Sequence, residues 1–145
     1  MNPDFVDLLR AFIDARVRFV VVGAYAVAIH ARPRATGDLD VWVEPTPENA
    51  AKVMNALRAF GAPLQDVAEA DFAAPGVTFQ MGVEPGRIDV LTEIGGVEFN
   101  QAWSGRVEAE FGPLDVPFLG RAQLIANKRA VGRPQDLMDL DALER

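Results

Sequence analysis

The run RFVVVG, residues 18–23, constrains the fold more than any other stretch of this chain. Phe19 to Val22 are all apolar and three of the four are β-branched, so neither face of a strand here can be left to water. It reads as a short strand buried within a sheet. The strand ends at Gly23 and passes directly into AYAVAIHAR, a small-residue helix closed by Pro33. Glycine at such a turn lets backbone amides approach a ligand phosphate, and the helix N-terminus favours negative charge. Many strand–helix turns carry a glycine for steric reasons only, so the turn alone does not settle a function.

The neighbouring segments surround that strand with helices and further strands. Phe5, Leu8, Leu9, Phe12 and Ile13 recur at helical spacing behind Pro3. LDVWVEP is a second strand, stopped by Pro45. The next helix has Thr46 as N-cap, Pro47 at its first position and Gly61 as C-cap. Residues 62–76 are polar and irregular. VTFQMGVEPGRIDVLTEI reads as two strands joined at Glu84-Pro85-Gly86. VEFNQAWSG has no assignable pattern, and RVEAEFGPLDVPFLG alternates well enough for one or two short strands. RAQLIANKRAV and PQDLMDLDALER close the chain as helices separated by Gly132. The expected fold class is α+β: one domain over residues 1–145, with a mixed sheet packed against helices and two helices at the C-terminus.

Composition narrows the function classes. With no cysteine there is no disulfide and no thiolate metal site. The N-terminal stretch is acidic rather than basic before its apolar residues, unlike a signal peptide. No apolar run approaches the roughly 18 residues that span a bilayer. A soluble, cytoplasmic protein without membrane partners is the expectation. The net charge is −7, and residues 44–100 carry three Lys/Arg against nine Asp/Glu. Such a field does not attract polyanions, so any nucleic-acid contact would fall to the nearly balanced ends.

The acidic residues that matter most are Asp38 and Asp40, one residue apart where the second strand enters the core. On a strand, residues two apart share a face, with Cα atoms roughly 6.5 to 7 Å apart. Both carboxylates can then converge on one magnesium ion, or hold a pair of metals about 3.5 to 4 Å apart. Leu39, Val41 and Val43 face the other way, into the core. A solvated strand start is the simpler explanation of an isolated Asp-x-Asp. Asp89 interrupts a later apolar strand, GRIDVLT, and by itself is equally well explained as an edge-strand hydrogen-bonding residue. Three strand-borne carboxylates beside a glycine turn form a constellation that neither explanation covers.

That constellation resembles the signature of the nucleotidyltransferase superfamily, the polymerase-beta-like fold: a hydrophobic strand, Gly-Gly or Gly-Ser, a short interval, then Asp-x-Asp or Asp-x-Glu. Here Gly23-Ala24 is followed by thirteen residues and then Asp38-Leu39-Asp40, with Asp89 as the natural third acid. RATGDLDVWV and LIANKRAVGRPQDLMDLDAL are similar to the small bacterial branch containing abortive-infection, type IV toxin–antitoxin nucleotidyltransferases. The resemblance implies two-metal chemistry on a nucleoside triphosphate. Asp38 and Asp40 would hold magnesium on the triphosphate, and Asp89 would ligate a second ion and help deprotonate a hydroxyl acceptor. The acceptor would be an RNA end, a partner protein's side chain or a small molecule. The chain departs from the family at Ala24, which offers neither the serine hydroxyl nor the closest approach of glycine. A second function class follows: a catalytically weak nucleotide-binding or antitoxin module that acts on a partner protein.

The same resemblance suggests Lys128 as a phosphate contact, against the plain reading of a solvated helical lysine. Arg133 is a phosphate contact or a helix-start surface residue. Arg34 and Thr36 flank the acids closely enough to touch a nucleotide, or they stabilise the turn. Asp136 and Asp139 favour the N-terminal dipole of the last helix. His30 lacks a partner at ligand spacing, Trp42 is expected to pack although it shares a face with Asp40, and Tyr25 either packs or stacks on a base.

Overall fold

The computed structural model describes residues 2–31 and 37–145. Helix α1 (Pro3–Asp14) starts where the Asn2 side chain accepts from the Asp4 backbone N–H at 2.8 Å. It buries Phe5, Leu8, Leu9 and Phe12 completely, whereas Ile13 falls outside that stripe and is exposed. Strand β1 (Phe19–Val22) is buried at every position and turns at Gly23 into α2 (Gly23–His30). Strand β2 (Leu39–Val43) leads to α3 (Pro47–Phe60). That helix is capped by the Thr46 hydroxyl at its start and ends on Gly61 in the left-handed region (φ 92°).

A 3₁₀ turn at Glu69–Ala73 precedes β3 (Thr78–Met81) and β4 (Ile88–Leu91). The segment without a sequence pattern forms a short helix, α4 (Phe99–Ser104), that seats Phe99 edge-to-face against Trp42 with ring centroids 5.1 Å apart. Its six residues are too few to show a helical stripe, which is why the sequence gives no period there. The hairpin β5 (Val107–Phe111) and β6 (Leu114–Phe118) follows, then α5 (Arg121–Val131) and α6 (Pro134–Glu144).

The strands form one mixed sheet in the order β3-β4-β2-β1-β6-β5. The all-apolar β1 lies inside it, as its composition requires, antiparallel to β2 and parallel to β6. β2 in turn runs parallel to β4. Leu39, Val41 and Val43 are fully buried as expected, but Trp42 on the opposite face is buried too, which leaves Asp40 as the one partly exposed residue of β2. Helices α1 and α3 pack on each other, and α5 and α6 form a hairpin that touches α2.

Candidate active site

Sheet register brings the sequence motifs to one place. Asp40 lies opposite Val22, the residue before Gly23, and on its other side opposite Asp89. Three adjacent strands therefore deliver the glycine turn, the Asp-x-Asp pair and the third acid in a row. Asp38 stands just before β2, in a segment zipped to the residues preceding β4. The Leu39 N–H donates to the Arg87 carbonyl at 2.9 Å, and the Gly86 N–H donates to the Gly37 carbonyl. Gly37 must be small here, because a Cβ would meet Pro85 at 2.6 Å.

Gly23 has φ +68°, and a Cβ placed on it would run into the Oδ2 atom of Asp40. The glycine is thus required twice over, by backbone conformation and by the carboxylate beside it. Ala24 occupies the next position of α2 and contributes its backbone N–H at the helix start.

The acids are crowded. Asp89 is 7% exposed, and Asp40 is half-buried. Burial pushes the Asp40 carboxyl up to about 6, assisted by the charge of Asp89, a hydrogen bond with Asp89 and the charge of Asp38. Arg87 opposes that rise. Its guanidinium stands among the acids, with Nε 3.1 Å from Asp89 Oδ1, and NH2 3.3 Å from Asp38 Oδ2. A third contact joins it to Glu84 at 3.2 Å. Among the described residues no three acidic or histidine side chains stand ready-made as a metal cage. Instead one arginine partners two of the acids, while the third is held towards its protonated form. Hard carboxylate oxygens that crowd together and already gather a cation are a donor set that suits magnesium.

The C-terminal hairpin differs from the solvated face expected of a helical lysine. Lys128 is 5% exposed, with Nζ 3.1 Å from both Asp136 and Asp139, which are also buried. It is neither a solvated charge nor an open phosphate contact in this arrangement: two carboxylates already take its ammonium. The left-handed Gly132 folds α6 back on α5 and so brings the aspartates onto the lysine. Asp136 does serve the start of α6, accepting from the Arg133 backbone N–H at 3.1 Å, but it is far more than a surface charge. It also receives Arg133 Nε at 2.7 Å and NH2 at 3.2 Å, which with Lys128 hold its carboxyl down to about 2. The Arg133 side chain is 71% exposed. Its guanidinium is held charged chiefly by the Asp136 hydrogen bond, with a contribution from Asp40 that marks it as a neighbour of the acids.

Arg34 and Thr36 lie outside the described residues. His30 ends α2, its Nε2 2.8 Å from the Leu119 carbonyl, in a structural role. Tyr25 packs between Phe5 and Phe111. Trp42 is 2% exposed and belongs to the core. Sequence reasoning missed Arg87, although its signal was present: it precedes Asp89 by two residues, the spacing that puts both on one face of a strand.

The sequence matches no protein-family model and no curated protein. Among solved structures it is similar to a candidate nucleotidyltransferase from Thermotoga maritima, at 14% identity and a TM-score of 0.59, covering 99% of this chain and 92% of that one. It is also similar to the lincosamide antibiotic adenylyltransferase LnuA with lincomycin bound, at 15% identity and a TM-score of 0.60, covering 99% and 96%. The chain has the nucleotidyltransferase-like fold.

Proposed function

We propose that this protein is a magnesium-dependent nucleotidyltransferase that moves a nucleoside monophosphate from a triphosphate to a hydroxyl acceptor. The observation that carries the proposal is the register: Asp40 opposite Asp89 on one side and beside the Gly23 turn on the other. A phosphate-accepting helix start and three convergent carboxylates are what such a transfer needs, and the fold is one that supports it. Fold alone does not assign a substrate, so the residues must bear the weight.

In this reading the backbone N–H groups of Gly23 and Ala24 receive the triphosphate at the start of α2. Asp38, Asp40 and Asp89 would hold magnesium, which would supply neutralisation of the phosphate oxygens and of the charge developing on the leaving group. Asp89 takes the acceptor's proton. The acceptor oxygen forms a bond to the α-phosphorus, the α–β bridging P–O bond breaks, and pyrophosphate departs with its electron pair. Arg133, exposed yet fixed on Asp136, supplies positive charge at the edge of the acids. Arg87, which contacts Asp38 and Asp89, would have to release them for those carboxylates to hold the ion. The resemblance of RATGDLD extends the proposal to a toxin–antitoxin setting with an RNA end or a partner protein as acceptor. A cytoplasmic location follows, where nucleoside triphosphates are abundant.

A second reading rests on Ala24 and Arg87. With no side-chain hydroxyl at the turn and an internal cation among the acids, the chain acts as a nucleotide-binding module without turnover. One experiment separates the two. Incubation with each α-labelled nucleoside triphosphate, magnesium and a cell lysate is expected to leave label on an RNA, protein or small-molecule fraction. Triphosphate binding without any labelled fraction would favour the module, and the absence of both would sink the nucleotide reading.

A further inference from the structure

Arg87 stands one residue before β4, and its guanidinium is divided among three acids. Nε donates to Asp89 Oδ1 at 3.1 Å, while NH2 reaches Asp89 Oδ2 at 3.4 Å and Asp38 Oδ2 at 3.3 Å. NH1 takes Glu84 at 3.2 Å. The Asp38 and Asp89 side chains are largely buried, whereas that of Glu84 is 65% exposed, so the guanidinium reaches from the acids to the rim of the site.

The backbone cannot carry this side chain away. The Gly86 N–H donates to the Gly37 carbonyl, and the Arg87 carbonyl accepts the Leu39 N–H at 2.9 Å. Arg87 is thus clamped on both sides of its own Cα to the segment that bears Asp38. Its guanidinium can move only by rotation within the side chain, and it stays at the site wherever it turns.

Carboxylate oxygens cannot serve a divalent ion and a guanidinium at full strength together. Once Asp38 and Asp89 hold an ion, Nε and NH2 of Arg87 lose their partners, and Glu84 holds only NH1. The guanidinium is half-buried, where donors without an acceptor are costly. Phosphate oxygens that share an ion with carboxylates lie within about 4 Å of them, twice the usual magnesium–oxygen distance of about 2 Å. They come within reach of the donors so released. The planar fork accepts two phosphate oxygens as readily as two carboxylate oxygens.

We propose that Arg87 is a triphosphate-binding residue that exchanges partners, holding Asp38 and Asp89 before the nucleotide binds and a phosphate of the magnesium-bound triphosphate afterwards. It thereby couples the two ligands: free magnesium competes with the guanidinium for the acids, and the triphosphate removes the competitor. The identity of the anion rests on the nucleotidyltransferase reading above.

The test uses inorganic tripolyphosphate, which presents the phosphates of a nucleotide without a base. Two calorimetric titrations are needed, magnesium into the protein alone and tripolyphosphate into protein held in excess magnesium. Arg87→Gln is expected to bind magnesium about tenfold more tightly and magnesium tripolyphosphate about tenfold more weakly. Arg87→Lys keeps the charge but not the fork, and should shift both affinities in those same directions by about threefold. A third measurement uses the wild type and so does not depend on how well Arg87→Gln folds. The Arg87 Nε–Hε signal, identified by its absence from Arg87→Lys, should move with magnesium and then become protected from solvent exchange when tripolyphosphate is added. Wild-type binding of magnesium tripolyphosphate with the same affinity in both variants, or an Nε–Hε signal that ignores it, would overturn the role of Arg87 and leave the nucleotidyltransferase reading intact. Arg87→Lys indistinguishable from the wild type in both titrations would reduce the effect to charge and overturn the exchange of partners. A wild type that binds neither magnesium nor magnesium tripolyphosphate would overturn both.

Discussion

Asp40 carries the most readable single-residue chemistry in the chain. Its folded carboxyl is raised to about 6 against an ordinary value of 3.8, chiefly by burial and then by Asp89 and Asp38. The folded state therefore holds a proton that the unfolded state has lost between those values. This group's contribution is fully present below about pH 4 and is lost as pH rises through 6, a loss on the order of 3 kcal/mol. Asp40→Asn is accordingly expected to raise the melting temperature of metal-free protein at pH 7 and to flatten its decline between pH 4 and 7. Magnesium should achieve a similar stabilisation in the wild type by relieving the same repulsion. Thermal melts in chelator and in millimolar magnesium test both points. Identical wild-type melts, with no gain in Asp40→Asn, would remove the metal site. Gly23→Ala belongs to the same small space: the new methyl must displace the Asp40 carboxylate from a backbone position that already disfavours it. A loss of about 2 kcal/mol or more is expected in denaturant unfolding, together with weaker triphosphate binding.

At the scale of elements, the α5–α6 hairpin shows where sequence reading stops. Its helices, the Gly132 break and the Pro134 start were all legible from local pattern. The burial of Lys128 was not, because it depends on how far α6 folds back to set Asp136 and Asp139 around the ammonium. The glycine turn and the three acids were legible for the opposite reason. Each motif sits at a strand end, and parallel pairing of β2 with β4 then leaves little freedom in where they meet. Arg87 escaped notice because an arginine before a strand is ordinary until its partners are placed around it. Since Lys128 is buried between two carboxylates, Lys128→Ala is expected to destabilise the fold by about 3 kcal/mol or more, leaving both acids without their cation. The resulting denaturant midpoint should recover partly as pH is lowered and the orphaned acids protonate. A midpoint equal to that of the wild type would show the lysine to be solvated after all. The wild-type hairpin itself should weaken in acid: Asp136, held down to about 2, contributes fully above its ordinary value of 3.8, and that contribution is lost as pH falls from there through about 2.

For the whole molecule, charge decides which acceptors can approach. The net charge is −7, and the structure consumes many of the cations that an RNA would need. Arg87 serves the acids and Lys128 the buried aspartates, while Arg129 pairs with Glu144 at 3.0 Å and Arg18 with Glu44 at 3.2 Å. Arg133 remains exposed at the site but already holds Asp136. The net field opposes a phosphate backbone, and each contact that the remaining cations make is worth its affinity only at low salt. The purified protein is therefore expected to bind tRNA weakly at low ionic strength and to lose that binding at physiological salt. Gel-shift titrations at the two salt concentrations measure this directly. Arg133→Ala should weaken the low-salt complex and reduce its salt dependence, because it removes an exposed cation beside the acids. Tight binding that survives high salt would contradict this distribution of charge. Salt-sensitive weak binding would instead direct the search for an acceptor towards small or cationic molecules, whose approach an acidic surface favours.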